Sequence, residues 1–183
     1  MAKLSAWSLW FGSSVALLGT VVFASASAAL PKHLEQEELS NPATVTAWLK
    51  ANASTADKVF ASQFLGRALR DKKRGAWSPA VKGFCASAQF YPTPSVISEC
   101  ANASTHLLGG IRAWEKSFSK KSRGDMQSIE ALYRSAIAAD AILNTLNAKE
   151  KEELRQNADC LAAFVRTGKI QPDCRPLQTY GLK

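Results

Sequence analysis

The chain has little with which to do chemistry. Its 183 residues include two histidines, His33 and His106. Without a second histidine beside it or a converging carboxylate, a serine or cysteine has no base to activate it. Neither histidine stands at zinc-ligand spacing from the four cysteines, and there is no C-x-x-C. We therefore expect no catalytic residue, no metal and no cofactor, and read the chain as a non-enzyme. Stretches alternating apolar and polar residues are missing too, which leaves no candidate strand. The strongest apolar run, residues 15–23, is about nine residues, well short of a bilayer's thickness.

That run still carries information. Lys3 is the only charge before Lys32, and the apolar core is followed by "ASASAA" at 24–29. A basic start, a short apolar core and a small-residue run read as a secretory signal peptide over 1–29, cut after Ala28 or Ala29. Residues 30–40, "LPKHLEQEELS", read as a polar leader, loosely held. Residues 41–168 are the expected helical domain, and 169–183 a C-terminal tail. No membrane span is expected after cleavage, and roughly 150 mature residues suffice for a sizeable core. Four cysteines in an exported chain favour two disulfides. The net charge of +8 favours anionic partners.

Apolar residues recur at helical spacing through the domain. Asn41-Pro42 opens a short helix containing Val45, Trp48 and Leu49. Ser54 with Asp57 resembles a capping box before a helix over 55–73. "DKKRG" closes that helix, with cations at its end and Gly75 after them. The next helix runs from Trp77 to about Phe90, where "YPTP" stops it. A third runs from Ser95 to about Phe118, with Gly109-Gly110 as a bend. "SKKSRGD" is the expected loop before a fourth, from Met126 to about Leu146. Asn147 with Glu150 caps a last helix, which ends near Gly168. The fold class is all-α.

Gly75, Trp77, Ala80, Phe84, Ser87 and Pro92 hold a glycine turn, alternating aromatic and small residues, and a proline. At this spacing they resemble the second half of a tetratricopeptide repeat (TPR). "LGRAL" at 65–69 resembles the core of that unit's first helix. Gly124, Met126, Ile129, Tyr133, Ala136 and Ala141 fill the same slots 49 positions later, with Ile129 in place of a small residue and Ala141 in place of the proline. The resemblance covers about residues 55 to 141. It implies antiparallel helix hairpins stacked as a short TPR-like solenoid that binds partners through a preformed surface. Short TPR-like proteins with signal peptides resemble periplasmic adaptors, so a Gram-negative periplasm is the implied location, with secretion as the alternative.

"ANAST" occurs twice, at 51–55 and 101–105. The two copies are 50 apart, one step out of register with the repeat, so they do not carry it. Both fit the Asn-x-Ser acceptor pattern, at Asn52 and Asn102. The cysteines fit a hairpin layout. Cys85 lies eight residues before Thr93 and Cys100 seven after it, so helices leaving that turn bring them to one height. This pairs Cys85 with Cys100 and leaves Cys160 for Cys174, with the tail folding back. Other pairings stay compatible with the count.

The family's concave positions match Gln63, Arg67 and Arg70 in the first unit, and Arg112 and Lys116 in the second. Lys72, Lys73 and Arg74 precede Gly75, while Lys120, Lys121 and Arg123 precede Gly124. In stacked hairpins both loops fall on one edge and form a basic ridge. The resemblance thus implies a groove for a protein or peptide of acidic character, or for an anionic envelope polymer, since guanidinium groups suit carboxylate and phosphate. Nucleic acid is not expected, because no stacking aromatics stand among these cations. Arg123-Gly124-Asp125 spells an adhesion tripeptide, but Gly124 already serves as the expected turn. His106, beside an apolar stripe, reads as structural. The competing class is a self-associating helical envelope protein, whose first and last helices pair between copies.

Overall fold

A computed structural model describes residues 33–110, 120–169 and 171 of the chain. Among them the regular structure is entirely α-helical, with no strand. The helices are α1 (Gln36–Leu39), α2 (Pro42–Asn52), α3 (Lys58–Lys73), α4 (Trp77–Phe90), α5 (Pro94–Leu107), α6 (Lys120–Leu143) and α7 (Ala148–Thr167). The expected signal segment, Arg112, Lys116 and Cys174 lie outside the described residues.

Local chemistry sets most boundaries. The Asn41 side chain accepts the Ala43 and Thr44 amides ahead of α2, with Pro42 in the first turn. Gly75, at φ 70°, supplies the left-handed turn between α3 and α4. The Thr93 side chain caps α5 behind Pro94. Asn147 and Glu150 form the expected reciprocal cap of α7, and Gly168 ends it at φ 69°.

Four expectations are corrected. The cap of α3 is Asp57, whose carboxylate accepts the Phe60 amide at 2.8 Å, rather than Ser54. The preceding residues are held in a turn by the Thr55 amide bonding Asn52 O, so α3 starts at Lys58. Gly109 and Gly110 take φ of 85° and 78° and end α5 at Leu107 instead of bending a longer helix; residues 111–119 are outside the described set. The "SKKSRGD" stretch is helical from Lys120 onward, so Gly124 is no turn. A single glycine costs a helix only about 1 kcal/mol, and this helix buries Met126, Ile129 and Tyr133. Lastly, residues 33–40 are docked rather than loose: Leu34 and Leu39 are fully buried, and the Leu34 amide donates to Gln89 O at 2.9 Å.

The helices pack largely in chain order: α3 on α4, α4 on α5, α5 on α6 and α6 on α7. The exception is α2, which lies on α6, while α1 touches α2 and α4. The core gathers Trp48, Phe84, Met126, Tyr133, Leu161 and Phe164. Ala80, Phe84 and Ser87 are all buried, and so are Ile129, Tyr133 and Ala136, 49 positions further on.

Two contacts lock the first three long helices. A Cβ on Gly83 of α4 would stand 2.8 Å from Ala68 Cβ of α3, so the two helices nearly touch there. A disulfide joins Cys85 to Cys100, Cα atoms 5.0 Å apart, between α4 and α5. No cysteine among the described residues is a free thiol. The expected Cys160–Cys174 pairing and the folded-back tail involve residues outside the described set.

Candidate functional site

Among the described residues, α3 has one extensive partner, α4. Opposite the Ala68–Gly83 seam it exposes Val59, Gln63, Arg67, Arg70 and Lys73. Spacings of three and four put these residues on one strip. Gln63, Arg67 and Arg70 therefore stand together as their spacing required. No ion pair reaches Arg67, Arg70 or Lys73 among the described residues. The acids nearby are already committed: Asp57 caps the helix and Asp71 pairs with Arg74. Cations also suit this end of a helix, where the carbonyl dipoles point outward.

The other end of the strip is apolar. Val59 is 71% exposed and Phe60 is partly exposed. Phe60 meets Phe64 and Phe90 edge-on, with ring centroids 5.1 Å and 4.6 Å apart. His33 sits 5.4 Å from Phe90 and extends this aromatic cluster.

The two loops expected to carry the basic ridge are not both loops. Lys120, Lys121 and Arg123 belong to α6 rather than to an inter-helix loop. Lys72 turns inward, and Arg74 is tied to Asp71. Of the first trio, Lys73 remains exposed without an ion pair among the described residues.

Lys72 leads to a buried polar cluster that sequence reasoning missed. Its Nζ lies 2.7 Å from both carboxylate oxygens of Glu99 on α5. The Glu99 side chain is wholly buried, and Lys72 keeps 22% exposure. Burial pushes the Glu99 carboxyl up from its ordinary range, and the hydrogen bond and charge of Lys72 only partly offset this. His106 stacks on Trp77 at 4.1 Å, nearly parallel. His106 is itself solvent-exposed at the end of α5, and its partial desolvation, followed by the charge of Lys72, pushes the imidazole down. On α6, the Tyr133 hydroxyl donates to Asn102 Oδ1 at 2.6 Å, and burial pushes the phenol up.

The cluster joins α3, α5 and α6 through buried polar pairs. Its one carboxylate is held by a cation, and its histidine is stacked on an indole, so its groups brace helices. One signal pointed to it: Glu99 is the only charge in "SVISECANAST", beside the striped Ile97 and Cys100. A lone carboxylate on a buried stripe needs a cation.

The two acceptor motifs separate cleanly. Asn102 is buried against Tyr133, which closes it to a glycan. Asn52 is half-buried at the end of α2, its Nδ2 donating to Trp48 O at 3.1 Å. No family model matches the chain, and neither a curated protein nor a solved structure matches it.

Proposed function

We propose that the chain is an exported, non-enzymatic interaction module, a short TPR-like stack of helix hairpins that captures a protein or peptide of acidic character on the outer face of α3. The observation that carries the reading is the strip of Arg67, Arg70 and Lys73, exposed and without an ion pair among the described residues. Arginine forks suit carboxylates, and a rigid helix pre-organises them. An anionic envelope polymer offers the same charge and is the alternative ligand. The buried core slots at a 49-residue shift, and the chain-order packing from α3 to α7, support the TPR-like stacking, while the seating of α2 on α6 lies outside that pattern.

The signal segment and a buried disulfide fit an oxidising compartment, and we place the protein in a Gram-negative periplasm. No helix among the described residues is long and apolar enough to cross a membrane. A pull-down from envelope extract tests the reading. Wild-type protein should retain acidic proteins that Arg67→Glu/Arg70→Glu releases, with circular dichroism unchanged. Equal retention by both would contradict it. A second reading, self-association, draws on exposed Val59 and Leu107; a monomer in sedimentation at all concentrations would remove it.

A further inference from the structure

Gly66, the glycine of the "LGRAL" segment, stands in the middle of α3, and among the described residues neither a close contact nor a left-handed backbone calls for it. Glycine is among the least favourable residues in a helix interior. Among the described residues, a Cβ at Gly66 would meet only Arg70 Nη1, at 3.8 Å, an ordinary contact with the end of a flexible side chain. Gly83 has a steric reason to be glycine, and Gly75 has a left-handed backbone; Gly66 has neither. It lies toward the exposed strip, one turn from Gln63 and from Arg70. A spot without a side chain on an open helix face is where another backbone can come close. Ordinary side chains hold packed helices about 8–10 Å apart, and a glycine at the crossing lets them approach further.

The flanks define what crosses there. On one side are Arg67, Arg70 and Lys73, exposed and without an ion pair among the described residues. On the other are Val59 and Phe60, exposed beside the aromatic cluster. We infer that an acidic amphipathic helix of a partner protein crosses α3 at Gly66, its carboxylates on Arg67 and Arg70 and an apolar side chain on Val59 and Phe60. This rests on the reading of α3 as the binding face and adds the partner's shape. A lipid surface has no use for a point lacking a side chain. A second copy crossing at Gly66 would bring two sets of the same cations together, which is unfavourable.

The probe is an alanine-based helical peptide with glutamates three and four apart and two leucines near one end. The controls are the same residues scrambled around the helix, soluble polyglutamate, and phosphatidylglycerol vesicles. Each is titrated against the purified protein at low salt. The helical peptide should bind at least tenfold more tightly than its scrambled form. Gly66→Leu should lose tenfold or more of that affinity while keeping polyglutamate binding within twofold. Its melting temperature should be unchanged or higher, since leucine favours helix. Gly66→Ala should fold equally well and lose less.

Gly66→Leu binding the helical peptide as wild type does would overturn the crossing. So would equal affinity for the scrambled peptide, tighter binding to vesicles that ignores Gly66, or a dimer that Gly66→Leu dissolves. No detectable binding of the helical peptide overturns it as well. If Arg67→Glu/Arg70→Glu leaves polyglutamate binding intact, the binding-face reading itself falls. If that variant loses polyglutamate while Gly66→Leu changes nothing, only the crossing falls.

Discussion

Lys72 and Glu99 are joined across two helices, with Nζ 2.7 Å from both carboxylate oxygens of a wholly buried side chain. Removing one partner of such a pair strands the other. Lys72→Met should therefore destabilise by about 3 kcal/mol, near the lower end for buried pairs because Lys72 is partly exposed. Glu99→Gln should cost less than Lys72→Met, because the ammonium it leaves is partly exposed and a neutral amide can stay in the core, and Lys72→Met/Glu99→Leu should recover most of the loss. Urea denaturation of the three variants checks this ordering.

The same cluster sets a pH dependence. Burial holds the Glu99 carboxyl above its ordinary 4.5 despite Lys72. Above 4.5 the unfolded chain gives up this proton first, so the group's contribution to stability falls as pH rises through the raised folded value. His106 works the other way. Partial desolvation and Lys72 hold this exposed imidazole below 6.5, so below that pH the unfolded chain takes up the proton first and stability falls modestly on acidification. Glu99→Gln should gain on wild type as pH rises from 4.5, and His106→Gln should lose part of the acid sensitivity below 6.5. Unfolding midpoints across this range, moving in the opposite directions, would refute both.

The Cys85–Cys100 bond should contribute about 3 kcal/mol, as expected for a loop of its size, with sequence separation 15. Both residues are nearly inaccessible. Reductant should leave the bond intact in folded protein and open it only in denaturant, as alkylation with mass mapping would show. Cys85→Ala/Cys100→Ala should fold with a correspondingly lower midpoint.

Two glycines should respond oppositely to alanine. At Gly83 the new Cβ lies 2.8 Å from Ala68 Cβ and 3.3 Å from the Phe64 carbonyl, so the α3–α4 seam must open. Gly83→Ala should lose about 1–3 kcal/mol. Among the described residues Gly66→Ala meets only a flexible guanidinium, and it should gain up to about 1 kcal/mol from helix propensity. Thermal unfolding of the pair is sufficient to check it.

The sequence was most informative where the controlling interaction is local. Asn41, Asn147 and Gly168 act on amides and carbonyls within a few residues, and Cys85 and Cys100 flank one proline turn. It was least informative where a distant residue decides. Lys72, Lys73 and Arg74 look alike in sequence; Glu99, 27 positions away, turns Lys72 inward. Gly124 resembled a turn because the repeat register asked for one, yet the burial of Met126 and Tyr133 carries the helix through it. Leu34 and Leu39 were masked by the acids around them. The seating of α2 on α6 left no sequence signal that we can identify. Of the expected groove, Gln63, Arg67 and Arg70 share one exposed strip, a relation that spacing alone encodes.

A charge-swap titration tests the working face most directly. Calorimetry should show wild-type protein binding a glutamate-rich peptide, with affinity falling as salt rises. Arg67→Glu/Arg70→Glu should lose that peptide by tenfold or more and take up a lysine-rich peptide of the same length. A variant that folds normally and binds the acidic peptide with wild-type affinity would contradict the assignment of α3 as the binding surface.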